Sequence, residues 1–143
     1  DLGFILSSRR NKRDDGLADY EPRKAGDRRP VVVGTKDDAD ATAEICRGFE
    51  GVLDLTGRTS LCDVPDLARG AVCAIGNDTG PMHMCALAGC PVVMLFSNQT
   101  SLIRKHAPPK DGGVKAMEAW DLKDISVQAV FHGFSELAGI SAE

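Results

Sequence analysis

Four short runs recur along the chain at residues 30–33 (PVVV), 52–55 (VLDL), 71–75 (AVCAI) and 92–96 (VVMLF). They are largely apolar instead of alternating with polar residues, the pattern of strands buried on both faces. The segments between them carry helix signals. Thr35, Asp37 and Asp38 supply caps and N-terminal negative charge for a helix over about residues 39–47, which Gly48 stops. Ala41, Thr42, Ile45 and Phe49 form its inward stripe. Ser60-x-x-Asp63 resembles a capping box ahead of Val64 and Leu67, with Pro65 confined to the first turn and Gly70 closing the helix. An earlier run, GFILS, reads as a first strand, and residues 114–117 as a last one. The closing helix spans residues 126–138, with Val127, Val130, Phe131, Phe134 and Leu137 at three- and four-residue spacing and Gly139 as its stop. Strands alternating with helices predict an α/β fold, a doubly wound, mostly parallel sheet of about six strands.

At 143 residues, residues 1–143 make one domain, with an irregular front over 1–30. Hydrophobic content of 43% and charged content of 27% are enough for an ordered core. The net charge of −4 argues against a nucleic-acid binder. The first 30 residues hold eight Lys/Arg against six Asp/Glu and the remainder nine against fifteen, so the front is the basic part. Five cysteines without a C-x-x-C pair read as reduced, mostly buried thiols, and no metal cluster is expected. That usage suits a cytoplasmic protein. No signal peptide is visible, and no apolar run approaches the roughly 18–20 residues of a membrane span. The first residue is Asp rather than Met, as in a fragment or a processed product.

Residues 71–96, AVCAIGNDTGPMHMCALAGCPVVMLF, carry the chemistry. They read as strand, tight loop, helix, strand. In an open α/β sheet such a loop faces the ligand crevice. Gly76 and Gly80 let backbone approach a ligand, and Pro81 suits the first helical position. The N–H groups of Thr79, Gly80 and Met82, with the helix dipole, make an anion site suited to a phosphate or diphosphate. His83, in the first turn, reaches the same anion or a nearby sugar hydroxyl. Asp78 either holds the loop or accepts from a ligand hydroxyl. Asp-Thr-Gly also marks aspartic proteases, but there the context is all-β with apolar residues before the Asp. Here Asn77 precedes it and a helix follows. The bland alternative is a capped helix between two strands.

At this stretch the chain resembles the ADP-heptose:lipopolysaccharide heptosyltransferases, glycosyltransferase family 9. Their C-terminal nucleotide-sugar-binding domain carries D-T-G-x-x-H-x-x-x-A-x-G-x-P and an apolar strand ending in Phe. Here Asp78-Thr79-Gly80-Pro81-Met82-His83 is followed by Ala88, one place late, then Gly89, Pro91 and the strand to Phe96. Leu55-Thr56-Gly57-Arg58-Thr59-Ser60-Leu61 looks like the family's L-x-G-x-x-S-L segment. Val31 to Gly34 looks like its second strand and loop.

The resemblance implies one Rossmann-like half of a two-domain GT-B enzyme. It implies that Asp78, Thr79, Gly80, Met82 and His83 bind a nucleotide-sugar diphosphate, an ADP-sugar by preference. It places a nucleoside contact at Asp38, with Asp37 as the alternative, and a phosphate-neutralising Lys at Lys12. The family's Trp-Pro after that Lys is absent, since Arg13-Asp14 stand there, and its Gly-Pro-Thr is replaced by Ser97-Asn98-Gln99-Thr100. Transfer in this family needs no metal or cofactor. The acceptor domain and its catalytic base have no counterpart here, so a missing domain or partner chain is expected. Such an enzyme works in the cytoplasm, at most peripheral to the inner membrane, on a lipopolysaccharide-type acceptor. The competing readings are a stand-alone nucleotide or nucleotide-sugar binding module without catalysis, and an α/β interaction domain. Among other residues, Arg104-Lys105-His106 reads as a solvated basic loop, His132 as exposed, and Trp120 as packing at the sheet edge.

Overall fold

Two valine-rich strands set the architecture. In the computed structural model, which describes residues 3–7, 29–99 and 113–139, they lie in one six-stranded sheet. The strands are β1 (Gly3–Ser7), β2 (Arg29–Val33), β3 (Leu53–Asp54), β4 (Ala71–Asn77), β5 (Val92–Ser97) and β6 (Val114–Ala119), in the order β3-β2-β1-β4-β5-β6. The helices are α1 (Ala39–Gly48), α2 (Asp63–Arg69), α3 (Gly80–Leu87) and α4 (Val127–Ala138). This is the strand order of a doubly wound nucleotide-binding sheet, with its switch point between β1 and β4.

The pairs β2–β3, β4–β5 and β5–β6 are parallel. β1 departs from the parallel expectation, running antiparallel to both β2 and β4. Antiparallel neighbours need no crossover helix, so apolar content alone does not fix the direction of such a strand. β2 and β4 are thus parallel to each other, and their carboxyl ends reach the same edge.

The uniform apolar runs are explained by cover on both faces. Val31, Val33, Val92, Met94 and Phe96 pack on one side with Val64 and Ala68 of α2 and Met82 and Cys85 of α3. The intervening Val93 packs on the other side with Cys73 and Phe134 of α4, flanked by Leu95, Met117, Val130 and Leu137. Phe96 is fully buried, and that burial is worth about 2–3 kcal/mol against exposure.

Several expectations change. β4 continues through Gly76 to Asn77, so the loop before α3 is only Asp78-Thr79, and neither Gly76 nor Gly80 adopts positive φ. Phe49 lies outside the α1 stripe and is exposed, because α1 ends at Gly48 in front of it. Val127 and Phe131 are exposed too. α4 meets the sheet through Phe134 with Val130 and Leu137, and its first turn overhangs. Trp120 is 70% exposed just beyond β6, with its carbonyl accepting from Ser97 Oγ at 3.0 Å. His132 is exposed as expected, 3.7 Å from Glu136.

Candidate functional site

Three segments distant in sequence converge where β2 and β4 end. The first is the exit of β2, Val33-Gly34-Thr35. Thr35 N–H and Oγ1 both donate to Asp38 Oδ2, at 2.8 and 2.9 Å. Gly34 permits this closure, since a Cβ there would stand 3.0 Å from the same carboxylate oxygen.

The second is the segment after β3. Leu55 N–H donates to the Val32 carbonyl and Gly57 N–H to the Gly34 carbonyl, both at 2.9 Å. These bonds lay residues 55–61 alongside the end of β2. Ser60 N–H and Oγ then donate to Asp63 Oδ2, at 2.8 and 2.7 Å, as the Ser60-x-x-Asp63 spacing anticipates.

The third is the start of α3. Thr79 is its N-cap in an extended conformation, and Pro81 lies in the first turn. The Thr79 side chain makes no capping bond, which leaves its hydroxyl unspent on the helix. The Thr79 carbonyl accepts from Met82 N–H at 3.1 Å and His83 N–H at 3.2 Å. Among the described residues, the N–H groups of Thr79 and Gly80 have no acceptor. Open space surrounds the position a Gly80 Cβ would take. Met82 fits the anion role less well than the sequence suggests. Its N–H is bonded and its side chain is 3% exposed in the core.

Between the three segments lies a cleft of about 320 Å³. Val33, Leu61, Val64, Pro81, Met82 and Cys85 give it an apolar floor, and Thr35, Thr59, Ser60 and Thr79 a hydroxyl rim. Cys85 is chemically quiet, because burial, with Cys90 close by, pushes its thiol up to about 12. The cleft therefore offers an apolar slot ending in the uncapped start of α3, a shape suited to a flat ring attached to an anion.

The candidate residues are thus distributed unevenly. Thr79 and Met82 line the cleft, and Gly80 opens the helix beside them. Asp38 lies one step behind the rim, held by Thr35. Asp78 and His83 are not in the lining. They face each other, with His83 Nε2 2.7 Å from Asp78 Oδ1. Lys12 and the 104–106 loop lie outside the described residues. Thr59, Ser60 and Leu61 enter the site although only their motif, not their placement, was visible beforehand. Among the described residues no group of three His, Cys, Asp or Glu gathers to hold a metal, and no helix is long and apolar enough to cross a membrane.

Comparison with known proteins follows the same segments. The family model described as "Glycosyltransferase family 9 (heptosyltransferase)" matches residues 29–132. A solved glycosyltransferase family 9 protein from Veillonella parvula DSM 2008 is similar, with TM-score 0.67 and 22% identity over 76% of this chain and 36% of that one. The ADP-heptose LPS heptosyltransferase II of E. coli is similar with TM-score 0.64 and 24% identity, over 76% of this chain and 35% of its own. The chain thus spans about a third of the length of these structures. No curated protein matches the chain by sequence.

Proposed function

The chain belongs to glycosyltransferase family 9, and we propose that its cleft is the donor site of such a glycosyltransferase, binding a nucleotide-sugar diphosphate. The observation that carries this reading is the convergence of three family-like segments on one cleft at the sheet's switch point. The diphosphate lies at the Thr79 and Gly80 N–H groups, with the Thr79 hydroxyl beside it. The nucleoside lies along the apolar floor, with the hydroxyl rim against its polar edge.

Chemically, this site serves the leaving group. As the sugar departs, negative charge grows on the diphosphate. Fixed N–H donors at a helix start stabilise that charge without reorganising. By resemblance to the family the donor is an ADP-sugar such as ADP-heptose and the acceptor a lipopolysaccharide-type saccharide, handled in the cytoplasm or at the inner membrane surface. The acceptor site and the base that activates it are assigned to a further domain or partner chain, so this chain alone binds donor without transferring it.

Calorimetry with ADP, UDP and GDP tests the reading. The expected result is saturable binding in the micromolar-to-millimolar range, strongest for ADP. Absence of binding by all three overturns it.

A further inference from the structure

Thr35 and Ser60 line the cleft, yet their hydroxyl hydrogens point away from any ligand. Thr35 Oγ1 donates to Asp38 Oδ2 at 2.9 Å, and Ser60 Oγ donates to Asp63 Oδ2 at 2.7 Å. In each case the backbone N–H of the same residue donates to the same carboxylate oxygen, at 2.8 Å. One construction is thus repeated on separate segments of the rim, with the carboxylates of Asp38 and Asp63 behind the lining.

A hydroxyl has a single hydrogen and otherwise only lone pairs. A bond from that hydrogen to a carboxylate is stronger than one to a neutral ligand atom, so the hydrogen stays where it is. What Thr35 and Ser60 present to a ligand is therefore acceptor oxygen alone. Thr79 differs. Its side chain makes no capping bond, so its hydroxyl keeps a hydrogen for an anion, beside the N–H groups at the start of α3.

The rim is sorted by this difference. Phosphate oxygens are themselves acceptors, so Thr35 and Ser60 turn them away while Thr79 takes them. The acceptor pair suits N–H and O–H groups instead.

We infer that Thr35 and Ser60 are specificity-determining residues, each held as an acceptor by the carboxylate behind it, and that they select a nucleoside by its own hydrogen-bond donors, an exocyclic amine or a ribose hydroxyl. This rests on the donor-site reading above. A site built to accept from such a group discriminates against the analogue that lacks it.

Calorimetry of the full chain with ADP, purine riboside diphosphate, 2′-deoxy-ADP and 3′-deoxy-ADP tests this. Each of the last three lacks one donor, the amine or one sugar hydroxyl. The parent chain is expected to bind at least one of them about fivefold more weakly than ADP, the order of one neutral hydrogen bond. The analogue that loses affinity identifies the donor seated on the rim. Thr35→Val or Ser60→Ala should weaken ADP to the same degree and leave that analogue within about twofold of its affinity for the parent chain. Thr35→Ser and Ser60→Thr keep the hydroxyl and should keep the parent's ranking. Equal binding of all four nucleotides by the parent chain overturns the inference while leaving the donor site standing, and this comparison needs no variant to fold. A ranking that survives both hydroxyl deletions unchanged also overturns it, leaving Thr35 and Ser60 as turn-forming residues only. Failure of ADP to bind at all overturns both readings.

Discussion

Gly57 N–H donates to the Gly34 carbonyl at 2.9 Å, and this bond joins the two walls of the cleft. Gly57 holds φ at +68°, and a Cβ there would stand 2.8 Å from Lys36 Cγ. Two separate conditions therefore favour glycine at one position: a left-handed backbone and a side chain passing over it. The first is costly for any residue with a Cβ, whereas the second yields if Lys36 swings away.

Gly57→Ala is accordingly expected to lose about 1–2 kcal/mol. Urea denaturation reads this as a lower midpoint with an unchanged slope. Adding Lys36→Ala should relieve the contact but not the backbone strain, recovering only part of the loss. Full recovery would place the whole cost in the clash.

The cysteines divide by burial. Burial pushes the Cys73 and Cys85 thiols up to about 12 and that of Cys90 to about 11, while Cys62 is exposed and Cys46 half-buried. A thiol reagent at pH 8 should titrate Cys62 and Cys46 in the native chain and all five cysteines in denaturant. The same shifts fix a sign. Unfolded, these three thiols ionise near their ordinary value of 9.0. Between about pH 9 and 11 the unfolded state therefore binds fewer protons than the folded one. Stability contributed by these thiols falls as pH rises through that window. Denaturation midpoints at pH 8 and pH 10 check this, and replacement of Cys73 by Ala should flatten the difference.

β2, β4 and β5 were legible because each is a short apolar run packed into the core, which needs no knowledge of the partner strand. Ser60 and Asp63 were legible because capping spans three residues. The pairing of Asp78 with His83 was not, since it spans five residues across a cap and no helical or strand period brings such positions together. Thr59 and Leu61 could be noticed as a motif, yet their meeting with Thr79 depends on the order of strands in the sheet. Trp120 and Phe131 misled for a related reason. An apolar residue at the correct spacing is buried only if the surface opposite extends far enough to cover it.

Thr42 is fully buried, and its hydroxyl meets that of Thr56 at 2.9 Å. This pair ties α1 to the segment leaving β3, whose Thr56 N–H also donates to Asp54 Oδ1 at 2.8 Å. Thr42→Val should cost about 1–2 kcal/mol, chiefly by leaving the Thr56 hydroxyl without its partner. Thr56→Val should cost a similar amount. The double variant should recover much of the loss, because neither hydroxyl is then stranded. Additive losses by urea denaturation would mean that the two hydroxyls stabilise the chain independently.

Leu61 lines the cleft yet is 59% exposed, so it touches a ligand without supporting the core. A charge placed there should act on binding alone. Leu61→Glu sets a carboxylate in the slot assigned to the donor, where it removes apolar contact and repels a diphosphate at the start of α3. Together these should weaken ADP by at least about tenfold, with thermal stability within about 0.5 kcal/mol of the parent. Leu61→Lys removes the same apolar contact but attracts the anion, so its loss should be smaller and should grow with salt as the attraction is screened. The ordering Leu, then Lys, then Glu in ADP affinity distinguishes a ligand lying in the cleft from one bound elsewhere on the domain, for which all three chains would bind alike.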